Sequence, residues 1–193
     1  MLPRQDENIW WLWMVLCTMG IILWEDTRQQ HQKHLNKHRW WEAHGVEVER
    51  RKLDFGDYAV DGSNIVIDTK RSITEVAKNC GHDHARFVRE MERARDAGYR
   101  LVILVEVPNY KSIEDVYGWT SKACRDYCPR WRARTCDPFV STGCTKYKRK
   151  PMQGPSLAKI MKRLEEDHGC RFEFCHPARS ARRICEILGV EWT

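Results

Sequence analysis

Two rhythms of apolar and polar residues run along this chain. Leu101-Val102-Ile103-Leu104-Val105-Glu106 and Ile65-Val66-Ile67 are short apolar runs, as expected for strands buried on both faces of a sheet. Val46 and Val48 alternate with Glu47 and Glu49, the period of a half-exposed strand that reaches Leu53 and turns near Gly56. Gly20 to Trp24 predicts a first short strand, and Cys170–Cys175 a last one. Asp61-Gly62-Ser63-Asn64 reads as the hairpin turn leading into the strand Ile65–Lys70.

The second rhythm is helical. Residues 29–44 are polar with Leu35, Trp40, Trp41 and Ala43 interspersed, stopped by Gly45. Ser72 and Glu75 make a capping-box pair at a helix start. Residues 84–97 predict a charged amphipathic helix with Phe87, Met91 and Ala94 inward, ended by Gly98. Pro155–Asp167 buries Leu157, Ile160, Met161 and Leu164 and stops at Gly169, and Ala178–Leu188 forms a last helix. Residues 107–153 read as irregular. Strands interleaved with helices, one pair of strands forming a hairpin, predict an α/β fold with a mixed central sheet flanked by helices.

At 193 residues, residues 19–193 suffice for a single domain. Residues 1–18 read as an apolar N-terminal extension, with Met19 as an alternative natural start. Its rivals are a membrane-associating segment and an extra hydrophobic helix. The apolar run Ile9 to Trp24 follows Arg4, Asp6 and Glu7, without the positive region and cleavage site of a signal peptide. It is short for a membrane span, so no membrane partner is expected. Nine cysteines, an odd number, fit a reducing, cytoplasmic setting in which thiols or metal ligands outnumber disulfides.

The net charge of +6 is concentrated. Residues 122–150 hold nine Lys/Arg against two Asp, so this stretch carries the whole excess. Trp119, Tyr127, Trp131 and Tyr147 are interleaved with it. Cations that neutralise phosphates and rings that stack on bases suit DNA, with a solvated loop as the plain alternative. Arg130, Arg132, Arg134, Lys148, Arg149 and Lys150 are the candidate contacts.

The chemistry-bearing residues are Asp26, Asp57, Asp68 and Lys70, at the ends of three predicted strands. In a strand, residues two apart share a face, so Asp68 and Lys70 project together. Two acids suit Mg²⁺, or Mn²⁺, which takes one or two carboxylates with waters and phosphate oxygens, and a lysine beside them suits phosphodiester hydrolysis. Asp57 and Asp68 are the expected metal ligands.

Asp26-Thr27-Arg28, Gly56-Asp57-Tyr58, Ile67-Asp68-Thr69-Lys70 and Arg86-Phe87-x-x-Glu90 resemble the XPF-type nuclease domain. That is the excision-repair, ERCC-type branch of the PD-(D/E)XK restriction-endonuclease-like superfamily. The resemblance spans about residues 20–106. The tail, from Gly154-Pro155-x-Leu157 through Gly169-Cys170-Arg171-Phe172, is similar to the small bacterial and prophage versions.

It implies a restriction-endonuclease-like fold and Mg²⁺-dependent cleavage of flap, fork or junction DNA in repair, recombination or phage DNA processing. Asp57 then takes the place of the family's Gly-Asp acid. Asp68 and Lys70 take the acid and lysine of its Glu-Arg-Lys triplet, and Asp26 the acid of Asp-x-Arg. Arg28 and Arg86 become candidate DNA contacts, and a homodimer is expected from the family's habit. Thr69 stands where the family has arginine, and Thr74, followed by Glu75, where it has a later aspartate. That leaves two other readings open: a catalytically silent DNA-binding module of the same fold, and a zinc-dependent interaction module.

The zinc reading rests on Cys124, Cys128, Cys136 and Cys144, whose spacing allows a four-thiolate structural zinc site, with free thiols in a mobile loop as the alternative. His31, His34 and His38 at i, i+3 and i+7 read as a solvated or DNA-facing stripe in preference to a metal face. Arg86 and Glu90, one turn apart, read equally as a surface ion pair and as an active-site flank.

Overall fold

The computed structural model describes residues 21–30 and 34–193. The expectations for residues 1–18, for Met19 and for His31 fall outside them. Six strands form one sheet: β1 Leu23–Asp26, β2 Val48–Arg51, β3 Tyr58–Val60, β4 Ile65–Lys70, β5 Arg100–Glu106 and β6 Arg171–Cys175. Their order is β2-β1-β3-β4-β5-β6. β3 runs antiparallel to both β1 and β4, while β1–β2, β4–β5 and β5–β6 are parallel. The mixed α/β sheet expected from the sequence is therefore present.

The helices are α1 Leu35–Ala43, α2 Ile73–Cys80, α3 His84–Asp96, α4 Ile113–Val116, α5 Lys122–Arg125, α6 Pro129–Arg132, α7 Gly154–His168 and α8 Ser180–Leu188. α2, α3, α4 and α7 cover the front of the sheet, where Phe87, Met91, Leu157 and Met161 pack on Val66, Ile103 and Val105. α1 and α8 cover the back, where Trp41, Ile184 and Leu188 pack on Leu23, Tyr58, Ile67 and Leu104. Burial on both sides explains the unbroken apolar run of β5.

The helical spacing of α3 is observed, with Phe87, Met91 and Ala94 as its buried residues. In α7, Ala158 is buried and Ile160 only half-buried. The capping box at α2 is only half formed. Ser72 accepts from the Glu75 amide at 3.1 Å, but the Glu75 carboxylate accepts from the Arg71 amide at 2.9 Å instead of from Ser72.

The stretch 107–153 departs more clearly from expectation. It contains three short helices, and Ile113, Val116 and Trp119 enter the front core. Trp119 is therefore a core residue and not a DNA-facing ring; a turn after α4, with the Trp119 amide donating to the Val116 carbonyl at 2.9 Å, brings it back onto the sheet side. The chain closes there. The Gly154 amide donates to the Trp119 carbonyl at 2.8 Å, and a Cβ on Gly154 would lie 2.2 Å from the Val116 carbonyl oxygen. Only residues 120–153 stand out as a lobe.

Candidate active site

The antiparallel pairings bring the end of β1, the start of β3 and the end of β4 to one edge of the sheet. Asp57 is held between its neighbours. Its carbonyl accepts from the Asp26 amide at 2.8 Å, and its amide donates to the Ile67 carbonyl at 2.6 Å. That approach requires Gly56, whose φ is +65° and where a Cβ would lie 2.7 Å from the Ile67 oxygen. A left-handed conformation and a backbone contact on the same residue leave only glycine comfortable.

Asp68 and Lys70 share the front face, as the strand period requires, beside Ile103 and Val105 of β5. Both are buried, at 5% and 9% exposure. The Lys70 ammonium donates to Asp68 Oδ1 at 2.7 Å. It also lies 2.6 Å from Oδ2, but without hydrogen-bond geometry, so this buried oxygen has no hydrogen-bond partner.

Burial pushes the Asp68 carboxyl up to about 7; Lys70 opposes that, and the charges of Asp57 and Glu90 add to it. Burial also works against the Lys70 ammonium, but the Asp68 carboxylate outweighs it and raises the lysine pKa. Lys70 therefore stays protonated, with its charge near the Phe87 ring, 6.0 Å from the centroid.

Asp57 accepts from the Thr69 amide at 2.8 Å, from the Thr69 hydroxyl at 2.6 Å and from the Gln29 side-chain amide. A carboxylate offers about four lone-pair sites, so Asp57 keeps capacity for a further partner. Asp26, almost fully buried, is taken up by Arg28, whose guanidinium and backbone amide both donate to it. Burial would raise this acid, but the Arg28 hydrogen bonds win and hold it below the usual carboxylate range. Arg28 also donates to the Leu53 carbonyl at 2.9 Å.

The structure thus brings Asp57, Asp68 and Lys70 together and gives Asp26 a different place. Its carboxylate is paired with Arg28 and orients that arginine. Arg86 sits 3.7 Å from Glu90 and, with the Asn79 amide in its satisfied orientation, donates to it at 3.3 Å.

His34 and His38 form no solvated stripe. His34 is buried, with Nδ1 3.1 Å from the Tyr58 hydroxyl, and His38 Nε2 lies 3.1 Å from Glu25 on the back face. α1 packs on the sheet with this side, which a pattern of three histidines does not announce.

Arg130, Arg132, Arg134, Lys148, Arg149 and Lys150 are exposed on the lobe, as is Tyr127. Arg130 and Arg132 are partly engaged within it, by Thr145 and by the Asp126 carbonyl.

Sequence reasoning missed Gln29, Thr69 and Glu90. Gln29 carries no local signal. Thr69 was visible only as the residue in place of an arginine, and Glu90 only as the partner of Arg86.

Among the described residues no three His, Cys, Asp or Glu side chains are already grouped to hold a metal ion. Two acids are enough for Mg²⁺, which keeps several waters and binds through one or two carboxylates. The unsatisfied buried oxygen of Asp68 and the spare capacity of Asp57 fit such an ion. A broad cleft of about 860 Å³ lies elsewhere, between β6 and α7, lined by charges of both signs including Lys111, Glu165 and Arg171. No described helix is long and apolar enough to cross a membrane.

No protein-family model and no curated protein matches this chain. Solved structures do. XPF from Aeropyrum pernix superposes with a TM-score of 0.51 at 20% identity, over 86% of this chain and 63% of that one. The same protein in complex with DNA gives 0.52 at 20% identity, over 88% and 64%. The fold is that of XPF. This chain spans just under two thirds of the length of those structures.

Proposed function

We propose that this chain is a metal-dependent endodeoxyribonuclease that hydrolyses phosphodiesters in flap, fork or junction DNA, with Mg²⁺ or Mn²⁺ as its cation. The observation that carries this reading is the Asp68 carboxylate. It is buried, met by a single cation, and left with an unsatisfied oxygen beside Asp57. A buried acid arranged this way costs stability, and a functional role explains why it is there. The fold shared with an archaeal XPF, solved also with DNA, supports the same reading.

Asp57 and Asp68 would hold the cation, which supplies an activated water and charge neutralisation at the phosphate. Thr69 and Gln29 orient the Asp57 carboxylate. Lys70, kept protonated by Asp68, donates to the oxygen on which charge grows as phosphorus is attacked. Burial among Ile103, Val105 and Phe87 excludes bulk water and strengthens each of these interactions. Arg28 and Arg86, exposed at the rim, and the basic lobe would meet the DNA backbone.

The test is cleavage of end-labelled flap, fork, junction and linear duplex DNA with Mg²⁺, and again with EDTA. Cutting of branched substrates that EDTA stops supports the proposal. Stable DNA binding without cutting, under either Mg²⁺ or Mn²⁺, replaces it with a silent DNA-binding module.

A further inference from the structure

The lobe 120–153 is built in the reverse of the hydrophobic order. Several of its large apolar side chains are outside: Tyr127, Phe139 and Val140 are exposed, Val140 at 76%, while Trp131 and Tyr147 are half-buried. The residues it buries instead include Cys124 and Cys128, each 6% exposed. Cysteine buries readily as a small hydrophobe, but two thiols do not make a core for thirty-odd residues. Something other than apolar burial must order this segment.

The four lobe cysteines border one cavity, although no three of them are yet grouped closely enough to hold a metal ion. Cys124, Cys128, Cys136 and Cys144 line this small cavity of about 20 Å³, together with Trp131 and Pro151. That is room for one water-sized body. Two sulfurs already accept hydrogen bonds of the kind that support metal thiolates. The Gln153 amide donates to Cys124 Sγ at 3.4 Å and the Tyr147 backbone amide to Cys144 Sγ at 3.3 Å. All eight described cysteines, the four in the lobe among them, are free thiols.

We infer that Cys124, Cys128, Cys136 and Cys144 form a structural zinc centre that organises the lobe. Four thiolates at about 2.3 Å satisfy tetrahedral Zn²⁺ and close its coordination, which makes the site structural and not catalytic. The thiols must draw in to metal–sulfur distance and lose their protons on binding. The net negative charge of a four-thiolate zinc complex is offset by the lobe's excess of seven positive charges. Binding energy then takes the place of the missing core. α6 lies between the second and third ligands, so the centre fixes Arg130, Arg132 and Arg134 in space. This inference is independent of the nuclease reading, since the acids at the sheet edge belong to another part of the chain.

The experiment is metal analysis of the full chain purified under reducing conditions and passed through gel filtration. About one zinc per chain is expected in the wild type and in Asp57→Asn, and none in Cys124→Ser/Cys128→Ser. Retention in Asp57→Asn separates this site from the acidic one. A second measurement needs no variant: stripped wild type titrated with Co²⁺ should develop sulfur-to-metal charge-transfer absorption that saturates at one equivalent. Zinc-free wild type without that absorption overturns the inference. So does equal zinc in wild type and the double variant, or an intact mass short by the four hydrogens that two disulfides remove.

Discussion

The two faces of the sheet each bury charge, and they treat it differently. On the back, Glu25 and Glu106 each meet more than one polar partner. Glu25 meets Arg50 at 3.2 Å, His38 at 3.1 Å and the Tyr58 hydroxyl at 3.4 Å. Glu106 accepts from the Ser180 hydroxyl and ion-pairs with Lys37 at 2.5 Å, although Lys37 Nζ makes no hydrogen bond there. On the front, Asp68 meets Lys70 alone and keeps an oxygen with no hydrogen-bond partner. Glu25 and Asp26 are consecutive residues of β1, yet strand alternation sends one to each face. An acid with several partners holds elements together. An unsatisfied one is poised for a partner absent from the protein itself.

The sharpest way to break this contrast is to remove the front acids. Asp68→Asn and Asp57→Asn should each lower cleavage roughly 10³-fold or more, because metal charge at the phosphate is lost. DNA affinity should change little, since repulsion of phosphate falls too. Undiminished cutting in single-turnover assays would move the active site elsewhere.

The reciprocal change acts on stability. Glu25→Ala strips a buried anion from Arg50 and His38 and should cost about 3 kcal/mol in urea unfolding. Cleavage per folded molecule should stay within about twofold of wild type, a margin well under 1 kcal/mol. An equal loss of catalysis would merge the two faces into one functional unit.

Thr69→Val is a smaller test, confined to the front. It removes the hydroxyl bond to Asp57 while the backbone amide bond remains. A loss of about 1 to 1.5 kcal/mol corresponds to roughly tenfold slower cleavage, which Thr69→Ser should largely restore. If Thr69→Val cuts normally, Asp57 is held by Gln29 and the backbone alone.

The smallest effect is a pH dependence on the back face. Burial, and then Lys37, lower the pKa of His34, while Glu25, Glu106 and Asp57 oppose them. His34 therefore stays neutral in the fold where the unfolded chain binds a proton. Its contribution to stability is complete above the unfolded pKa of about 6.5 and is lost as pH falls below it. Between pH 7 and 5.5, unfolding midpoints of wild type should fall more than those of His34→Gln. Parallel curves would show that His34 does not drive this part of the pH response.

Much of this was legible in the sequence where local rules suffice. The span of β4, the buried face of α3 and the glycine before Asp57 follow from periodicity and steric need. Asp68 and Lys70 on one face follow from a period of two. The pairing of Asp26 with Arg28 lies two residues away in sequence, but a pattern of residue types does not say which acid already has a cation beside it. The histidines at 34 and 38 failed for the same reason: their spacing predicts a stripe but not what that stripe faces.

The sequence by itself determined most of the sheet's strands and its covering helices, the basic stretch, and the set of acids and cysteines from which sites can be built. These depend on backbone periods, turn residues and counts, which are local quantities. Tertiary structure alone decided that Asp57 reaches β4 and is held by Thr69 and Gln29, and that Trp119 belongs to the core. It alone decided that Glu25 is satisfied where Asp68 is not, and that four cysteines spread over 21 residues share one small cavity. Those outcomes rest on distances between segments far apart in the chain, and burial, partner count and pKa follow from such distances.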